Sequence, residues 1–71
     1  MSEEVLADMV ANVWKVIVAT GDDVGEGDTI CILESMKMEI PVEATVAGTI
    51  SELNVTEGGV VQEGDLIAVI D

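Results

Sequence analysis

The side chains of this 71-residue chain that could act as nucleophiles or bases are two lysines (Lys15 and Lys37), one cysteine (Cys31) and 15 carboxylates, with no histidine and no arginine. Without histidine, and with a single thiol, neither the usual zinc ligand sets nor Cys–His and Ser–His nucleophile pairs can be assembled. One cysteine forms no internal disulfide, so nothing points to a stapled secreted scaffold. The acids between Gly21 and Asp28 lack the alternating spacing and terminal Glu of a calcium loop; they read as solvated turns, and no metal site is expected. Cys31 lies in a continuous apolar run and reads as a buried, inert thiol. Trp14, the only aromatic residue, reads as packing or a partial partner contact rather than a cofactor stack. Lys37 stands apart by its setting, between Met36 and Met38 in a chain dominated by acids.

The formal charge of −13 argues against nucleic acid and anionic membrane surfaces, which need clustered Lys and Arg. The longest unbroken apolar run, Leu66 to Ile70, is far short of the roughly 20 residues that span a bilayer. No basic segment precedes an apolar stretch at the start, so a signal peptide is not expected and a cytoplasmic location is. Phe and Tyr are absent, and the core must come from Val, Ile, Leu, Met and Ala. Such material suffices for one compact β domain spanning 1–71 but leaves no volume for an enclosed catalytic pocket. An enzyme is not expected.

The elements that must position Lys37 announce themselves by repetition. An offset of 37 brings Glu26-Gly27-Asp28 onto Glu63-Gly64-Asp65. The same offset matches Val13 with Ile50, Val16 with Leu53, Gly21 with Gly58, Val24 with Val61 and Ile30 with Ile67. Two copies are too few for a solenoid, so two similar halves related by a pseudo-twofold axis are expected. Within them Val5–Val10 reads as a weak strand and Val13–Val18 as a stronger one. Ile30–Leu33 reads as a strand buried on both faces, while Ile40, Val42, Ala44 and Val46 alternate with polar residues and Pro41. Because Pro41 cannot donate to a ladder, that strand belongs at an edge or bends. Thr49–Val55, Val60–Val61 and Leu66–Ile70 complete an all-β pattern, a sandwich or flattened barrel.

Ser35-Met36-Lys37-Met38 has no counterpart in the second copy and joins the two halves. Lys37 should therefore crown a hairpin between Ile30–Glu34 and Glu39–Ala44, remote from the chain ends. Good helix formers surround it, and a solvent lysine between core methionines is a common arrangement without function. Yet a tight hairpin prefers Asn-Gly or Asp-Gly, and local rules are broken most often at functional sites.

Glu34-Ser35-Met36-Lys37-Met38 resembles the E-[AS]-M-K-[ML] motif of biotin carboxyl carrier domains. Asn12-Val13-Trp14-Lys15-Val16, Ala47-Gly48-Thr49-Ile50 and the run Gly58, Val61, Gly64, Asp65 resemble further segments of that family, so the likeness covers nearly the whole chain. Ala7-Asp8-Met9-Val10-Ala11 departs from it, since the family usually has two prolines and a glycine there, and Thr45 replaces a frequent proline. The protruding thumb of some carriers and the Ala/Pro-rich linker are missing.

The resemblance implies a flattened barrel of two four-stranded antiparallel sheets with the modified lysine on an exposed hairpin turn. It implies covalent biotin on Lys37, attached by a biotin protein ligase that recognises the turn through Glu34, Ser35, Met36 and Met38. The domain would then carry carboxybiotin between biotin carboxylase and carboxyltransferase sites, with an acyl-CoA or a keto acid as acceptor. A free lysine is almost wholly protonated at neutral pH, so the amine would not acylate itself. The methionines either mark the turn for the ligase or pin the hairpin to the barrel. One alternative is a lipoyl carrier of a 2-oxo acid dehydrogenase, whose turn typically reads Asp-Lys-Ala; another is an unmodified acidic interaction module. The isolated domain is expected to be monomeric.

Overall fold

The computed structural model describes residues 2–71. Eight strands follow one another: β1 Glu3–Leu6, β2 Ala11–Val16, β3 Asp23–Val24, β4 Thr29–Ser35, β5 Met38–Glu43, β6 Gly48–Leu53, β7 Val60–Val61 and β8 Leu66–Ile70. They form two four-stranded sheets, ordered β1-β8-β6-β3 and β5-β4-β2-β7, with every pairing antiparallel. The expected all-β architecture of two four-stranded sheets is the one observed.

The offset of 37 seen in the sequence is the symmetry of the fold. It carries β2 onto β6, β3 onto β7 and the start of β4 onto the start of β8. It also carries the β4–β5 pair Leu33–Ile40 onto the β8–β1 pair Ile70–Glu3, so β1 is the counterpart of β5. The core repeats likewise: Ile30, Leu33, Ile50, Ile67 and Ile70 are all fully buried, one set from each half.

The repeated Glu-Gly-Asp turns join sheet to sheet. Gly27 N–H donates to Ala44 O and Gly64 N–H to Ala7 O, each at 2.8 Å. Both glycines have φ near +90° (+92° and +89°), a conformation that L side chains resist. The carboxylates of these turns serve their own backbone: Asp28 accepts from Gly25 N–H at 2.8 Å and Asp65 from Gln62 N–H at 2.9 Å.

Several strand limits differ from the sequence expectation. The first strand occupies Glu3–Leu6 rather than Val5–Val10, because from Ala7 onward the backbone bonds to the Gly64–Asp65 turn instead of a strand. Ala44 makes the equivalent bonds to Gly27 and Asp28, which ends β5 at Glu43 rather than near Val46. Pro41 does lie on an edge strand, opposite Ile32.

Candidate functional site

The β4–β5 ladder runs from Thr29–Glu43 through Leu33–Ile40 and Glu34–Glu39 to its last rung, Ser35–Met38. Only Met36 and Lys37 remain to reverse the chain, and both have positive φ, 52° and 68°. Left-handed conformation at both central residues is the signature of a type I′ hairpin, whose twist matches that of the flanking strands. Met and Lys have neither glycine's freedom nor the short polar side chain that eases Asn into this region. Holding them there costs on the order of 1–3 kcal/mol each. Glu34 directly opposite Glu39 adds a like-charge pair, a further local cost. The hairpin is held against these penalties by the buried Leu33, Cys31 and Ile30 of β4.

Lys37 is exposed at the tip, with Glu34 and Glu39 exposed on the strands below it and Ser35 half-buried. Met36 is 89% and Met38 60% exposed. Of the two readings of the methionines, pinning the hairpin to the barrel does not fit this exposure: the two-residue type I′ turn holds them out beyond the end of the core. Two surface hollows, of about 410 and 250 Å³, lie elsewhere, and Lys37 lines neither. The tip thus presents an amine and two thioethers without a concave site around them. This exposed amine can be modified or bound.

The other singled-out residues fall as follows. Cys31 is fully buried, and burial pushes its thiol up to about 11, a range in which it is no nucleophile at neutral pH. Among the described residues no three Cys, Asp or Glu are arranged to hold a metal ion. Trp14 does not serve the core: it is 44% exposed, and the Lys15 ammonium lies 5.7 Å from its ring centroid. It is the extra residue of a β-bulge, since Val13 pairs with Leu33 and Lys15 with the adjacent Ile32. Ser51 occupies the equivalent bulge of β6, between Ile50 and Glu52, and its hydroxyl bonds back to Val69 O at 3.3 Å. Reading the two copies against each other at these positions would have exposed the contrast.

A family model described as "Biotin-requiring enzyme" (Biotin_lipoyl) matches residues 4–70. The chain is 62% identical to the "Biotinylated protein TB7.3 homolog" of Mycolicibacterium smegmatis over the whole of both chains. It is 57% identical to that of Mycobacterium leprae over 99% of each. Among solved structures, the Kluyveromyces lactis urea carboxylase superposes with a TM-score of 0.92 at 37% identity, covering all of this chain and 6% of that one. The chain belongs to the biotin/lipoyl family that this model defines.

Proposed function

We propose that this protein is a biotin carrier: Lys37 receives biotin in amide linkage and presents it to the active sites of a biotin-dependent carboxylase. The observation that carries this reading is an exposed amine at the tip of a hairpin whose two turn residues are both left-handed without being glycine. Such strain persists where the surrounding structure fixes it and function uses it. The names of the whole-length relatives, both biotinylated proteins, favour biotin over lipoate. The Met36 and Met38 flanks point the same way.

Lys37 would hold biotin by an amide bond: a ligase would supply the biotin carboxyl group in activated form, and the Lys37 amine would displace the activating group and give up its proton to the ligase. When attached, biotin supplies a ureido ring that takes up a carboxyl group at one active site and releases it at another. The barrel's part is to hold the tether out. The turn projects past the buried core, and the lysine stem adds reach, which raises the local concentration of the group at partner sites. With 15 acids against two lysines, the domain is steered toward basic docking surfaces. Glu34, Ser35, Met36 and Met38 form the surface that the ligase reads around the amine. The protein works as a monomer in the cytoplasm, between biotin carboxylase and carboxyltransferase.

Intact-mass measurement of the protein from cells with an active ligase tests this. One biotin adduct and streptavidin capture are expected, both lost in Lys37→Arg. An unmodified natural protein, or a lipoyl mass, would overturn the assignment.

A further inference from the structure

The pseudo-twofold axis supplies an internal comparison, because each surface position has a twin that the same fold accepts. Where the fold dictates the residue, the twins agree, as Val13 and Ile50 or Ile30 and Ile67 do. Beside the hairpin that carries Lys37, on and next to β2 and β7, three positions are more apolar than their twins, although at Glu43 of β5 the contrast runs the other way, its twin being Leu6. Val10, Trp14 and Val60 have Ala47, Ser51 and Asp23 as their twins. All three are exposed, Val10 at 63% and Val60 at 62%.

These residues are neighbours. Asn12 pairs with Val60, and Val10 and Trp14 lie two residues to either side of Asn12 on the same strand course, so Val60 sits diagonally between them. The stripe starts level with the hairpin tip, because Asn12 also pairs with Glu34 and Val10 lies on the side of that row toward Met36. At about 3.3 Å per residue it runs ~13 Å down the sheet to the bulge that turns Trp14 outward. Isolated exposed apolar residues are ordinary, but here Trp14 and Val60 flank the exposed Asn12 close to the modified turn, where their twins Ser51 and Asp23 are polar.

We infer that this stripe is the docking footprint of the ligase that modifies Lys37, an inference that rests on the biotin-carrier reading. The unmodified lysine has only its own stem to offer, so the attaching enzyme must bring its activated acyl group to bonding distance of Nζ and cover the surface around the turn. Enzymes that meet the carrier later reach the group through a longer tether and have no such need. The footprint on the partner is an apolar pocket for Trp14 and Val60, rimmed by Lys and Arg. That rim follows from a carrier charge of −13, which also disfavours a second copy as occupant. The stripe offers on the order of 300 Å², against the ~800 Å² per partner of a standard stable interface, as suits an enzyme that must let its product go.

The twin residues give the test. Trp14→Ser with Val60→Asp installs side chains that the other half already carries on the same backbone, and circular dichroism and the urea midpoint verify folding. Steady-state labelling by a purified bacterial biotin protein ligase, with biotin, ATP and magnesium, is followed by intact mass. The carrier KM should rise about tenfold or more, with kcat at saturating carrier within twofold. An unchanged KM would overturn the inference. So would an unchanged ligase KM with slower carboxylation of the pre-loaded variant, which would assign the stripe to the carboxylase. A natural-sequence dimer in sedimentation that the variant abolishes would assign it to a second copy and overturn it as well. If the natural sequence takes no biotin at all, the carrier reading falls and takes this one with it, an outcome distinct from labelling of both proteins with equal KM.

Discussion

Ser35 and Met38 face each other as the final rung of the β4–β5 ladder, which leaves the reversal of the chain to Met36 and Lys37, both with positive φ. Residues at ease in that conformation should relieve the strain. Met36→Asn is expected to stabilise the fold by about 0.5–1 kcal/mol, and Met36→Asn with Lys37→Gly by about 1–2 kcal/mol. In a domain of this size each kcal/mol raises Tm by roughly 4–8 °C. Calorimetry checks the gain, and the double variant should take no biotin. A turn that is not stabilised by Asn-Gly would show that Met and Lys are unstrained there.

Gly48 is required by close approach rather than by φ. A Cβ at this position would lie 2.4 Å from Asp71 O and 2.8 Å from Ile70 Cγ2, and the backbone carbonyl cannot move aside cheaply. Gly48→Ala should cost at least ~2 kcal/mol by overpacking. Gly27→Ala meets open space but must hold φ at +92°, and should cost about 1–2 kcal/mol. Urea unfolding of the two variants ranks them, and Gly48→Ala should be the worse.

Burial raises the Cys31 thiol from 9.0 to about 11. A folded-state value above the unfolded one favours the folded state fully only below pH ~9. As pH rises from about 9 to about 11 the unfolded chain ionises first, and about 2–3 kcal/mol of stability is lost. Urea midpoints at pH 8 and pH 11 should show this loss in the natural sequence, and a much smaller one in Cys31→Ala. At pH 8 iodoacetamide should label the thiol only after unfolding.

A formal charge of −13 on a Cα radius of gyration of 11.0 Å sets the acids against one another. Raising salt from about 10 mM to 200 mM shortens the Debye length from ~30 Å to under ~10 Å, and Tm should climb by several degrees. A flat or falling Tm in that range would mean that self-repulsion is negligible.

What could be read before the structure was known follows from where the information resides. The 37-residue offset placed the two halves and the hairpin that joins them, the apolar runs placed β4 and β8, and the missing N–H of Pro41 set its strand at an edge or a bend, because all of these are local patterns. The limits of β1 and β5 were not legible: Ala7 and Ala44 leave their strands to bond with turns that are distant in sequence. Nor were the bulges at Trp14 and Ser51, which arise from register across a sheet and leave no mark in either strand alone. Whether Met36 and Met38 reach outward or pin the hairpin was left open by the sequence for a related reason, since it depends on a backbone conformation that neither residue favours.

Ser2 donates to the Asp71 carboxylate, and these residues stand where the fold's symmetry puts the counterparts of Glu39 and Glu34. That end of the barrel lies opposite the hairpin: Leu6, at the other end of β1, leads into β2 beside the lysine tip. Polypeptide joined before Ser2 or after Asp71 therefore departs rearward and leaves the tip unshadowed. A carrier built on this fold would therefore present its lysine in the same way whether or not further chain is joined at the far end.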